Sequence, residues 1–197
     1  MKTVIQKEKT VLVTVLIINF GLFLVELITG FFSRSMGLVA DSLDMLADSI
    51  VYGLSLYAVG HAISRKKKIA RISAYFQFFL AIAGFAEVIR RFVGFEKMPA
   101  FQTMIVVSVI ALLGNAACLI IMHKHKDKGA HMKASWIFTS NDVIVNLGVI
   151  MAGVLVYLTR SNKPDLMIGS IVFLLVARGP IAFTNCQNRE TIMREGE

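Results

Sequence analysis

The residue types best suited to chemistry in this chain are two aspartates on one apolar segment. Asp44 and Asp48 lie four residues apart within Gly37–Tyr57, which reads GLVADSLDMLADSIVYGLSLY. In a helix, residues at this spacing stack on one face. An ionised aspartate at the centre of a membrane costs about 2.5–3.5 kcal/mol, so the pair needs protons or a cation. We therefore expect Asp44 and Asp48 to face the interior of a helix bundle and to exchange protons for a metal ion.

A third aspartate lies on a second apolar segment, Ala134–Tyr157, where it is the only charged residue. This residue, Asp142, is expected to be a metal ligand. Asn146 follows one turn later and serves either as a ligand or as a hydrogen-bonding contact between membrane helices. Asn141 lies about 100° around the helix from Asp142. It is a further candidate ligand, for which a packing role is the competing interpretation.

Other acids within apolar segments have less decided roles. Asp41 precedes Asp44 by three residues and lies near the start of its segment, where capping or bracing the helix competes with ion binding. Glu26 and Asn19 lie in the first apolar segment. They either line an entry path or hold helices together. The histidines of His123–Lys133 alternate with lysines, a pattern typical of a solvated loop rather than of a metal-binding site.

The elements that must position these residues are long apolar stretches. Of the 197 residues 56% are hydrophobic and 17% are charged, against about 25% charged in soluble domains. A membrane helix needs about 20 mostly apolar residues. The sequence therefore predicts an all-α polytopic membrane protein, a bundle of six transmembrane helices over residues 11–183. Residues 1–10 precede the bundle in the chain, and a short tail, 184–197, follows it. The expected spans are Val11–Phe32, Met36–Ile63, Ile72–Ile89, Ala100–Met122, Ala134–Thr159 and a sixth that starts near Asp165.

The basic residues indicate the orientation of these spans. If both termini and the second and fourth linkers lie on one side, that side carries 15 of the 21 lysines and arginines. Lys/Arg-rich loops stay in the cytoplasm, so we expect a multi-pass protein of the cell membrane with both termini cytoplasmic. The basic linker Ser64–Arg71 is read as an orientation signal. The net charge of +8 belongs to loops near the lipid bilayer, and no nucleic-acid-binding motif accompanies it.

The segment DSLDMLADSIVYGLSL resembles the second helix of the cation diffusion facilitators, whose motif there is His or Asp, three residues, then Asp. Their fifth helix repeats this motif before an apolar stretch with glycine, which Asp142 and VIVNLGVI resemble. The resemblance implies six helices, a metal site between the second and fifth helices, and export of divalent cations in exchange for protons. It extends to Ala40–Ser42, Asn19, Glu26, Glu87–Pro99 and Pro164-Asp165.

The chain departs from the family pattern at two places. Phe138 stands where the family usually has a fourth ligand, so water, Asn146, Asn141 or a backbone carbonyl must complete the site. Family members also commonly carry a cytoplasmic domain after the sixth helix, which helps them to dimerise. Only Ile181–Glu197 would follow the bundle here, too few residues for a domain with its own core. A homodimer stays an open expectation, but one that cannot rest on that domain.

Two functions from different classes follow. The first is a divalent metal efflux transporter in which Asp44, Asp48 and Asp142 hold a transported ion, most simply zinc, with cadmium, cobalt, manganese and iron as alternatives. The second is a non-transporting membrane scaffold or subunit whose buried acids pair with a partner's basic residues. Neither needs a bound cofactor. An enzyme is not expected, because no nucleophile–base pair, phosphate-binding glycine loop or cysteine cluster is present; both cysteines are expected to be free thiols.

Overall fold

The structure is a computed structural model, and it describes residues 2–58, 63–94, 97–123 and 130–177. These ranges form six helices and contain no β-strand, which confirms the all-α prediction. The helices are α1 (Lys2–Ser33), α2 (Met36–Ala58), α3 (Ile63–Val93), α4 (Phe101–His123), α5 (Ala130–Thr159) and α6 (residues 163–177).

One predicted linker is wrong. The basic segment Ser64–Arg71 does not connect two helices but forms the first turns of α3. Lysine and arginine are good helix formers, so a break in the apolar pattern here does not break the helix. The helix α1 likewise begins before its apolar run, at Lys2. The expected tail 184–197, residues 59–62 of the second span and His125 lie outside the described residues, and Ile63, expected to end that span, is the first residue of α3.

Three of the described helices are long and apolar enough to cross a membrane, namely Lys9–Ser33, Phe101–His123 and Thr139–Thr159. The helix α2 differs from these three in carrying three aspartates, and α3 differs in beginning with a basic segment. Large apolar side chains cover the outside of the bundle, as in Phe32, Phe79 and Ile120, each at least two-thirds exposed. A soluble protein rarely exposes so much contiguous apolar surface, so this is the lipid-facing surface of a membrane protein.

The helix α2 has a central place in the bundle. It packs most extensively against α1, and it also contacts α3, α5 and, more weakly, α4. The helix α4 packs mainly on α5. Because α2 is enclosed in this way, its polar side chains have little access to lipid. The acids on α2 therefore face other helices.

A tight turn between α1 and α2 marks one end of the bundle, which we call the turn end. Arg34 adopts a left-handed backbone conformation with φ 60°, and the Ser35 amide donates to the Gly30 carbonyl at 3.0 Å. This closure is typical of helix C-termini. The start of α4 and the end of α3 meet the turn, since the Ala100 amide donates to the Ser33 carbonyl at 2.9 Å and Arg91 Nη1 to the Arg34 carbonyl at 2.9 Å.

Candidate metal centre

The predicted acids of α2 are not equally buried. Asp48 is 4% exposed and Asp41 is fully buried, whereas Asp44 is half-buried. All three lie on the stripe that the 3.6-residue period puts on one side of α2. The stripe predicted from the sequence is thus turned toward the interior, with Asp44 nearer its edge.

The helix α5 turns two of its three candidate ligands inward. Asp142 is 1% exposed and Asn146 is fully buried, and Asn146 Nδ2 donates to the Asp142 backbone carbonyl at 2.7 Å. This bond leaves Asn146 Oδ1 without a hydrogen-bond partner. Asn141, by contrast, is exposed and lies on the outer side of α5. The 100° between neighbouring residues of a helix separates it from Asp142.

The two inward faces bring Asp48 together with Asp142. Their carboxyl groups lie close enough to interact, and neither oxygen of Asp142 has a hydrogen-bond donor. The Tyr52 hydroxyl donates to Asp48 Oδ2 at 3.1 Å and shares a 2.7 Å hydrogen bond with Thr139 Oγ1. A tyrosine and a threonine thus tie α2 to α5 just beside the two carboxyl groups.

Tyr52 is a residue of the site that the sequence pattern alone did not identify. Its signal was present, because residue 52 follows Asp48 by one helical turn and therefore lies on the same face. A tyrosine in an apolar stretch usually reads as packing, and only the partner on α5 distinguishes the two roles. Tyr52 is fully buried, as is Thr139.

A second pair of acids lies between α1 and α2. Glu26 and Asp41 are fully buried and interact with each other, and none of their four carboxyl oxygens has a hydrogen-bond partner. Asp44 interacts electrostatically with both pairs. Asp142 also interacts electrostatically with Glu26 and Asp41, so the five acids form one linked group between α1, α2 and α5.

This arrangement does not gather three acids around one point. Within the described ranges, no three acidic, histidine or cysteine side chains converge on a common metal position. Among the residues whose side chains the structure describes, no lysine, arginine or histidine is buried to balance the carboxylates. A buried charge left unpaired is strongly unfavourable. Protons or a cation must therefore neutralise these acids.

The donors available here are almost entirely oxygen atoms. Asp44, Asp48, Asp142 and Asn146 offer carboxylate and amide oxygens, while Cys118 is buried in an apolar cluster with Tyr52 and Met122 and interacts electrostatically with Asp142. Oxygen donors bind divalent cations but select less sharply for zinc than imidazole does. The side chains of Phe138 and His131 lie outside the described part of the structure, although the backbone of α5 puts residue 138 one turn before Asp142.

Comparison with known proteins agrees with this architecture. Residues 12–187 match the family model described as the cation efflux transmembrane domain. The zinc transporter ZitB of Escherichia coli (strain K12) is 26% identical over 175 residues, which cover 82% of this chain and 55% of that protein.

Two further relatives have similar coverage. The metal cation efflux system protein CzcD of Cupriavidus metallidurans is 22% identical over 169 residues, covering 79% of this chain and 53% of CzcD. The cadmium, cobalt and zinc/H(+)-K(+) antiporter of Bacillus subtilis is 27% identical over 185 residues, covering 87% and 59%. The chain thus spans a little over half the length of these relatives. Because the family model covers most of the chain, the protein belongs to the cation diffusion facilitators, and the matched part is their transmembrane domain.

Proposed function

We propose that this protein exports divalent metal cations across the cell membrane in exchange for protons. The observation that carries the proposal is the buried Asp142 beside Asp48, with both Asp142 oxygens free of hydrogen-bond donors. Two carboxyl groups without a basic partner provide what a divalent cation requires, namely negative charge and unused oxygen lone pairs. The relatives named as zinc, cadmium and cobalt transporters support this substrate class.

The proposed ligands are Asp44, Asp48 and Asp142, with Asn146 Oδ1 as the fourth. Asn146 is favoured over Asn141 because its amide oxygen is buried and unpartnered, whereas Asn141 is exposed. Since Asp44 interacts with the other two without forming a common cluster, we propose that ion binding draws α2 and α5 together. The relatives point to zinc as the first ion to test, and the oxygen-rich ligand set makes manganese the informative comparison.

Proton exchange follows from the chemistry of the ligands. Carboxylates must lose their protons to coordinate a metal ion, so binding releases protons and release of the metal takes them up. The proton named in the Bacillus subtilis antiporter supports this coupling. With the basic residues cytoplasmic, as the positive-inside rule expects, the turn end would face the outside, and metal would enter from the opposite end.

One flux experiment distinguishes this transporter from a non-transporting scaffold whose acids pair with a partner. The full chain is reconstituted in vesicles, and Zn²⁺ flux is followed with and without a pH gradient. We expect flux in the parent, no flux in Asp142→Ala, and near-parental flux in Asn141→Ala. The last variant is a matched control, because it changes the neighbouring residue on the exposed side of the same helix. Flux that survives Asp142→Ala, or a parent that moves no metal at any pH, would contradict the proposal.

A further inference from the structure

The aspartate near the start of α6 bonds to the start of α2 through both of its carboxyl oxygens. Asp165 is 1% exposed. Its Oδ2 accepts a hydrogen bond from the Met36 amide at 2.7 Å, and its Oδ1 accepts one from the Gly37 amide at 3.0 Å. Ser35 Oγ donates to the same Oδ1 at 2.6 Å. One carboxyl group of α6 thus holds three donors at the first turn of α2.

These bonds complete the cap of α2. The first turn of a helix has amide groups without intrahelical partners, and here the Leu38 amide is taken by Ser35 Oγ at 3.1 Å while Asp165 takes the two before it. A carboxylate at this position also interacts favourably with the helix dipole. A cap normally comes from the residue that precedes the helix. Here part of it is supplied by a residue 129 positions away from Met36.

Two glycines bring the backbones into contact at the same place. A Cβ on Gly169, one turn after Asp165, would lie 3.0 Å from the Met36 carbonyl carbon and oxygen. A Cβ on Gly37 would lie 3.0 Å from Asp165 Oδ1. Close approach of helix backbones through glycine is a common way to pack membrane helices. The α2–α6 junction, formed by Ser35–Gly37, Asp165 and Gly169, therefore has little freedom to shift.

The helix α6 also contacts α5, the other helix of the proposed metal centre. Ile168 packs on Gly148, where an added Cβ would lie 2.8 Å from Ile168 Cδ1. Gly148 lies two residues after Asn146 and six after Asp142. One turn of α6, from Asp165 to Gly169, thus contacts both helices that carry the proposed ligands.

We infer that Asp165 is a positioning residue for the metal centre. It fixes the axial position and the rotation of α2 relative to α5. The inference rests on the proposed function. Asp44 lies eight residues after Met36, about 12 Å along α2 at 1.5 Å per residue, so a rigid helix transmits a shift at the junction to Asp44 and Asp48. Displacing a reacting group by about 1 Å can cost up to a hundredfold in rate. Asp165 itself does not touch the ion.

The test compares the dissociation constant of Zn²⁺ and the KM and Vmax of Zn²⁺ flux among four full-length chains. Asp165→Asn keeps the shape but replaces one acceptor oxygen with a donor that faces the amides or hydroxyl of the junction. Gly169→Ala leaves the carboxylate intact and separates the two backbones. Ser170→Ala is the matched control, since Ser170 Oγ donates to the Leu166 carbonyl of its own helix, at 2.7 Å. The fourth chain is the parent.

We expect Asp165→Asn and Gly169→Ala each to weaken Zn²⁺ binding about tenfold, within the range seen when groups that orient metal ligands are lost. KM should rise with the dissociation constant, and Ser170→Ala should match the parent. If either variant fails to insert, the other decides. Parental affinity in a folded Asp165→Asn or Gly169→Ala chain would overturn the inference and leave the proposed function standing. A parent that binds no Zn²⁺ would overturn both.

Discussion

Replacing Tyr52 by phenylalanine tests the geometry at the contact between α2 and α5. The substitution keeps the ring and removes the hydroxyl that donates to Asp48 Oδ2 at 3.1 Å and bonds Thr139 at 2.7 Å. Since Tyr52 is fully buried, water cannot easily replace the lost partner. Asp48 and Thr139 are also buried, so Asp48 loses the donor to its Oδ2, and Thr139 Oγ1 is left with its longer hydrogen bond to Met122 Sδ at 3.7 Å.

The magnitude follows from the two bonds. A hydrogen bond to a charged group contributes about 1.5–3 kcal/mol, and one between neutral groups about 1 kcal/mol. We expect Tyr52→Phe to lower the free energy of unfolding by the sum of the two, about 2.5–4 kcal/mol. Because Tyr52 also fixes the orientation of a proposed ligand, Zn²⁺ affinity should fall about tenfold, or about 1.4 kcal/mol.

The assay measures Zn²⁺ binding by calorimetry and unfolding in detergent on the same preparation. Tyr157→Phe is the matched control, because Tyr157 lies on α5 and is 47% exposed, and this variant should match the parent. A Tyr52→Phe chain that loses stability but keeps its Zn²⁺ affinity within twofold would assign Tyr52 to packing alone. If stability and affinity both stayed parental, the hydrogen bonds from Tyr52 to Asp48 and Thr139 would not form in the protein.

Three further predictions concern the ion, the proton and the topology. Phe138→His should raise the ratio of zinc to manganese flux, since residue 138 lies one turn from Asp142 and imidazole favours zinc; an unchanged ratio in an active protein would mean that residue 138 does not face the ion. Zn²⁺ binding should release protons and weaken as the pH falls, because protons compete for the same carboxylates; calorimetry in buffers of different ionisation enthalpy counts them, and a count of zero would remove proton exchange. In a chain with Cys118 and Cys186 replaced by serine, a membrane-impermeant thiol reagent applied outside should label Lys163→Cys but not Lys67→Cys, and the reverse pattern would invert the topology.

Much of the fold could be predicted, because the period and length of a membrane helix are visible in the pattern of apolar residues along its own segment. The six helices and the inward stripe of α2 follow from local patterns of apolar and acidic residues. The prediction that the basic segment Ser64–Arg71 is a linker was wrong, because a change in polarity marks where a helix leaves the lipid and not where it ends. Helix propensity carries α3 through that segment.

The candidate site could be predicted only in part. The spacing of Asp44 and Asp48 and the isolation of Asp142 mark acids that need a cation, whatever the fold. The sequence left Asn141 and Asn146 both open as ligands, and the rotation of α5 buries the second and exposes the first. That rotation depends on which face of α5 packs against α4 and α2, which a single helix does not encode.

The sequence alone determined that this chain is a bundle of membrane helices with carboxylates inside it, because the cost of burying charge and the helical period act within one segment. Only the tertiary structure decided that Tyr52 contacts Thr139, that Glu26 lies beside Asp41, and that Asp165 caps α2. These contacts join residues up to 130 positions apart. Their geometry is set by how whole helix surfaces fit together, since close packing through residues such as Gly37 and Gly169 fixes the distance and rotation of one helix against another.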